Sequence, residues 1–316
     1  MLSPAIISFS LFAISALGAG VRPGQIKNLV TFGDSFTDTA IVSNGGTQWP
    51  VYASGYTGAK LFPYARSGAT CSNKITFRPF PSLFESQLPT YFNATSTPGG
   101  NLDPASTLYT LWIGTNDVGS NALLTGHGIG DASLVEVTEC MVNWVKVLYD
   151  SGARNFLFQN MVPLETIPLY APTSYPTRYW TAQRNTTEWS LFMRELVLSG
   201  NALTKLMLQA LAPTLRGAHI GIFDAHSLFA DMYARPQLYL NGTVPFNING
   251  AVHACVFQLN EPTSNPGVCT DVEGSARDSY LWYDELHPSE QADRIVAREV
   301  AQVIKGQKNQ WTTWLS

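Results

Sequence analysis

Three side chains in this sequence are of the types that acyl transfer through a serine hydroxyl requires: Ser35 in the run NLVTFGDSFTDT (residues 28–39), and Asp284 and His287 in DELHP near the other end. Such a reaction needs a base within hydrogen-bond reach of the hydroxyl, an acid that orients the base, and N–H donors aimed at the oxygen that becomes negative. The imidazole of His287 suits the base, and Asp284, three residues earlier, can fold back onto its other ring nitrogen. Gly68 has no Cβ, so its N–H can approach a substrate oxygen closely, and Asn116 offers a side-chain amide. Read one at a time, these residues have plainer explanations. Asp34, Ser35 and Thr37 serve as turn and N-cap residues, His287 as a cap, Gly68 and Asn116 as turn residues. Their placement in a fold separates the two readings.

Ser35 follows the apolar residues Leu29, Val30 and Phe32 and precedes a polar stretch suited to a helix start, which reads as strand, tight turn and helix N-terminus. The pattern recurs. A second strand ending near residues 64–66 leads into Ser67-Gly68-Ala69-Thr70 and a short helix over 82–92. The β-prone run 108–113 stops at Gly114-Thr115-Asn116-Asp117 and precedes helical spacing over 131–150. Residues 155–159 and 219–223 supply two more strands. Helices are expected over 186–215, with breaks at Gly200 and Pro213, over 224–234, and over 289–305 with Pro288 at the first position. Residues 41–60 and 235–280 read as irregular. Strands alternating with helices argue for a parallel sheet of about five strands covered on both faces. Right-handed crossovers gather the strands' carboxyl ends at one edge, so the segments holding Ser35, Gly68 and Asn116 share one crevice.

Four segments in this order resemble the blocks of the GDSL, or SGNH, hydrolases, which contribute Ser, Gly, Asn and His: Gly33-Asp34-Ser35, Ser67-Gly68-Ala69, Gly114-Thr115-Asn116-Asp117 and Asp284-Glu285-Leu286-His287. The resemblance spans essentially all of residues 21–316, expected as a single domain. It implies a flavodoxin-like three-layer α/β/α sandwich, with Ser35 as nucleophile, His287 as base and Asp284 as its partner. The implied oxyanion hole consists of the Ser35 and Gly68 backbone N–H groups and the Asn116 side chain. FGDSFTDT, Gln48-Trp49-Pro50, SGATC at 67–71 and Val162-Pro163-Leu164 look like fungal secreted acetyl esterases of carbohydrate esterase family 16. That finer resemblance implies removal of acetyl groups from sugar hydroxyls of hemicellulose oligosaccharides, with no metal or organic cofactor. Trp49, and less so Trp112 inside its apolar strand, would then stack on a sugar ring. Two other readings stay open: a lipase or phospholipase acting on longer acyl chains, and an inactive fold that binds carbohydrate. No Gly-x-Ser-x-Gly elbow occurs, which disfavours the α/β-hydrolase fold.

Composition agrees with a secreted protein handling neutral polar ligands. The chain has 316 residues, 45% hydrophobic and only 13% charged, with a net charge of -4, so it offers no basic field for nucleic acid. Residues 1–20 carry no charged side chain and end in small residues, the pattern of a secretory signal peptide cleaved after Gly18 or Gly20 and too short to span a membrane. An extracellular monomer without membrane insertion is expected. Cys255 and Cys269 enclose a turn-rich segment that suggests a disulfide, whereas Cys71 and Cys140 are open between pairing and simple burial. No Cys-x-x-Cys or clustered His/Cys spacing points to a metal. Asn93, Asn185 and Asn241 head glycosylation sequons in turn-forming surroundings.

Overall fold

The computed structural model describes residues 18, 20–97 and 100–316, so the expected signal peptide lies almost wholly outside the described residues. The first strand, β1 (Asn28–Gly33), is followed by α1 (Trp49–Thr57), β2 (Lys60–Pro63), α2 (Leu88–Thr95), β3 (Thr107–Trp112), the short α3 (Thr115–Val118) and α4 (Leu134–Asp150). Then come β4 (Asn155–Gln159), the long α5 (Thr186–Leu211), β5 (His219–Phe223) and α6 (Ala225–Ala234). Four short strands follow, β6 (Asn247–Ala251), β7 (His253–Val256), β8 (Val268–Asp271) and β9 (Tyr280–Trp282), before α7 (Glu290–Ile304) and β10 (Thr312–Trp314).

The main sheet has the order β10-β5-β4-β3-β1-β2. All its pairings are parallel except that of the edge strand β10, which runs antiparallel to β5. Every residue of β3 and β4 is buried, as expected of central parallel strands covered on both faces. Alternation along the strands divides the core in two. Leu29, Leu108 and Leu157 point to the side holding α1, α6 and α7, while Val30, Tyr109 and Phe156 point to the side of α2 and α4. The strand order reverses between β1 and β3, whose carboxyl ends therefore diverge into opposite connections and open a crevice there.

Local signals explain most helix ends. Ser133 and Glu136 form a reciprocal capping box on α4, and Ser289 accepts from Ala292 N to cap α7. That cap corrects the expected start of α7: its first helical residue is Glu290, and Pro288 lies outside the helix, before the Ser289 cap. Residues 49–57, expected to be irregular, form α1, which packs on α7 and is closed by Gly58 in the left-handed region. Strand β2 lies earlier than expected, and Gly200 does not break α5. Among the described residues no helix is long and apolar enough to cross a membrane.

Both cysteine pairs are bonded. Cys255–Cys269 joins directly opposed residues of β7 and β8, as expected, and Cys71–Cys140 ties the loop after Gly68 to α4. Asn93, Asn185 and Asn241 are all exposed, but Asn93 sits within α2 rather than in a turn.

Candidate active site

The turn after β1 is built from buried polar contacts. Gly33 has φ +146° and its missing Cβ would collide with the Trp112 carbonyl, so glycine allows the ends of β1 and β3 to lie together. Buried Gln87 brackets it, accepting from Gly33 N at 3.1 Å and donating to its carbonyl at 2.8 Å. Asp34 Oδ1 accepts from Phe36 N at 3.0 Å, and the Asp34 carbonyl accepts from Thr37 N and Asp38 N. The chain thus folds back around Ser35, which keeps its hydroxyl at the surface of the crevice and only 6% of its area exposed.

His287 meets Ser35 across the crevice: its Nε2 lies 2.8 Å from Ser35 Oγ. Its Nδ1 lies 2.9 and 3.0 Å from the two oxygens of Asp284. A carboxylate can only accept, so Nδ1 carries the proton and Nε2 is left to accept from the serine hydroxyl. Asp284 also accepts from Leu286 N and His287 N, each at 2.8 Å, and from the hydroxyl of Tyr179 at 2.6 Å. Burial pushes the Asp284 carboxyl up, but the His287 charge and these hydrogen bonds outweigh it and hold the group below the usual carboxylate range. Phe36 and Tyr179 pack their rings near the imidazole from two sides, with centroids 5.8 and 5.9 Å away.

Three candidate donors open toward the same space. Neither Ser35 N nor Gly68 N has an acceptor among the described residues. Gly68 has φ +77°, and the Phe80 ring fills the position a Cβ would take. The Gly68 loop is pinned by Asp38, whose Oδ2 accepts from Ser67 N at 2.7 Å, and by Asp117, which accepts from Cys71 N and the Thr76 hydroxyl, both at 2.9 Å. Asn116 lies in the first turn of α3, and its Nδ2 donates one proton to the Ala69 carbonyl at 3.0 Å, leaving the other free. Its Oδ1 accepts from Arg78 Nη1 at 2.9 Å, so the amide cannot flip without losing both partners.

Two buried carboxyls flank this cluster. Burial raises Asp34 to about 7 and Asp117 to about 6, and their mutual repulsion adds to the former, while the Arg78 guanidinium draws both down. A cavity of about 390 Å³ lined by Arg78, Tyr179 and Trp180 adjoins the cluster. A depression of about 450 Å³, lined by Arg154 and His219 among others, lies at the opposite, amino ends of the strands.

Ser35, Gly68, Asn116, Asp284 and His287 are thus brought together, and Trp49 is not. Trp49 is fully buried, edge-on to Trp112 at 6.5 Å, with its Nε1 donating to the Thr37 hydroxyl at 3.3 Å, so it has no face to offer a sugar. Gln87, Arg78 and Tyr179 join the site from loops and a helix end that carry no motif. Among the described residues, His253, Cys255 and Cys269 have the spacing of metal ligands, but the two sulfurs are bonded to each other.

Sheet order, crevice and polar cluster together define an α/β/α hydrolase. The chain belongs to the GDSL-like Lipase/Acylhydrolase family, whose model matches residues 29–300, and is a carboxylic ester hydrolase. It is 29% identical to an acetylesterase of Hypocrea jecorina over 92% of each chain, and 24% identical to an acetylesterase of Thermothelomyces thermophilus over 89% of each. It is also 24% identical to a thermolabile hemolysin of Vibrio parahaemolyticus, over 89% of this chain and 65% of that one.

Proposed function

We propose that the protein is a secreted serine esterase that removes acetyl groups from carbohydrate esters. The observation that carries the serine mechanism is the 2.8 Å contact of Ser35 Oγ with a His287 nitrogen whose ring partner faces Asp284. In this reading His287 takes the Ser35 proton as the hydroxyl attacks the ester carbonyl. The oxygen that becomes negative is held by Ser35 N, Gly68 N and the free proton of Asn116 Nδ2. His287 then protonates the leaving sugar alcohol, and water activated by the same imidazole frees acetate from Ser35.

The acetyl and sugar assignments draw support from the similarity to two fungal acetylesterases and from the polar lining of the adjoining cavity, which suits hydroxyls better than an alkyl tail. Export draws support from two disulfides and from sequons on exposed asparagines, where glycans would be carried. One observation favours the longer-acyl reading: Phe80, 44% exposed, packs on Gly68, and nearby Phe77 is 61% exposed. Acetate release from acetylated xylo-oligosaccharides, beside cleavage of 4-nitrophenyl esters of increasing chain length, separates the two. Sugar deacetylation that is lost in Ser35→Ala, with a steep fall beyond short acyl chains, is expected. Preference for long chains without sugar deacetylation would overturn the substrate.

A further inference from the structure

The cavity beside the candidate active site carries charge of one sign. Arg78 and Arg178 both line it, together with Asn121, Tyr179, Trp180 and Thr263, and none of its lining residues is acidic. In a chain of net charge -4 that is not the expected surface. Neither guanidinium forms an ion pair among the described residues. Arg78 spends one N–H on Asn116 and has no other side-chain acceptor there. Arg178 is exposed, its guanidinium lies 5.8 Å from the centroid of the Tyr179 ring, and among the described residues its side chain has no hydrogen-bond acceptor. Glu261, two residues before Thr263 in the chain, is occupied by its own turn, accepting from Gln258 N and Asn265 Nδ2, and the buried Asp34 and Asp117, whose charges act on Arg78, do not line the cavity. The cavity is also coupled to the reacting groups, since Arg78 bonds Asn116 and Tyr179 bonds Asp284.

We propose that this cavity is a subsite for a carboxylate-bearing sugar, so that the enzyme acts on acetylated oligosaccharides that carry a uronic acid beside the acetylated unit. The inference rests on the carbohydrate esterase reading above. A guanidinium presents a planar fork that matches a carboxylate, and Trp180 and Tyr179 supply ring surface for the pyranose. Arg178 has no part in the proposed reaction chemistry, so its removal tests the subsite without touching the chemistry.

The test is competitive inhibition of 4-nitrophenyl acetate hydrolysis by three probes: a deacetylated xylo-oligosaccharide bearing glucuronic acid, neutral xylotriose, and sodium acetate. The acidic sugar is expected to inhibit about 5- to 10-fold more tightly than xylotriose, the size of one or two half-exposed ion pairs. That advantage should vanish in Arg178→Ala, reverse in Arg178→Glu, and shrink at about 0.5 M salt, while turnover of 4-nitrophenyl acetate by these variants stays near wild type. Equal inhibition by the two sugars would overturn the subsite and leave the carbohydrate reading standing. Acetate inhibiting as tightly as the acidic sugar would assign the charge to product binding and overturn the uronic acid. Inhibition by neither sugar would overturn the subsite and the carbohydrate reading together.

Discussion

Replacing Tyr179 by phenylalanine removes one hydroxyl and keeps the ring that packs beside His287. Asp284 then loses its 2.6 Å donor and retains Leu286 N, His287 N and His287 Nδ1. A hydrogen bond to a buried charged acceptor contributes on the order of 1.5–3 kcal/mol, and here it stabilises the ionised carboxylate that orients the imidazole. If about half of that is felt at the transition state, kcat falls about 4- to 13-fold with KM little changed. The same loss moves the Asp284 carboxyl upward from its position below the usual range, since a donor that favours the ionised form is gone. Activity lost on acidification should therefore set in at higher pH in Tyr179→Phe than in the wild type. The assay is kcat and KM for 4-nitrophenyl acetate across the acidic range, with a melting curve at each pH. A role confined to packing would lower the melting temperature without moving the acid limb. Superimposable pH profiles with unchanged kcat would refute the reasoning.

Asn116→Ala should lower kcat on the order of 10²-fold or more by deleting an oxyanion donor. Arg78→Ala should cost less, about 10-fold, because Asn116 keeps its bond to Ala69; equal KM values in steady-state kinetics would place both losses in the transition state. Asp34, 1% exposed and raised to about 7 by burial, binds its proton more tightly folded than unfolded, so stability falls as pH rises from about 4 to about 7. Urea unfolding should find Asp34→Asn flatter across that window and more stable at its upper end, by an amount on the order of 4 kcal/mol at most. Removing Cys71–Cys140, which spans 69 residues, should cost about 4 kcal/mol against about 3 for Cys255–Cys269, which spans 14, as paired serine variants and denaturant titration would register.

The strands that carry the site were readable because central parallel strands are continuous apolar runs: β4 and β5 match the expected residues, β1 ends at Gly33, and β3 runs one residue ahead of the expected 108–113, ending at Trp112 just before Gly114. Helix α1 was not readable, since WPVYASGYT contains proline, glycine and two tyrosines and buries only Trp49, Pro50 and Ala53. Its helicity comes from packing on α7, a contact between residues about 240 apart in sequence that no local pattern records. Gly200 looked like a break, yet in α5 it makes room for Met161, whose Cε would sit 2.7 Å from a Cβ there. The edge strand β10 is too short, at three residues, to show alternation.

Within the site, residues at strand ends were legible and their supports were not. Ser35, Gly68, Asn116 and His287 each follow a strand or precede a helix, where spacing constrains them. Tyr179 reaches Asp284 across 105 residues, Gln87 reaches Gly33 across 54, and Arg78 reaches Asn116 across 38, pairings between distant segments that no local pattern records. Trp49 failed for the opposite reason. An aromatic beside a proline in an apparent loop looks available to a ligand, whereas tertiary packing buries it completely.

The central claim is that Ser35, activated by His287, is the atom that carries the acyl group. A fluorophosphonate is trapped by such a hydroxyl and by no ordinary serine, so peptide mass spectrometry of the labelled protein tests the claim at a single residue. The account predicts one adduct, on Ser35, that is lost in His287→Ala, with esterase activity falling in step with labelling. An adduct on another residue, or full activity in a protein labelled at Ser35, would contradict it.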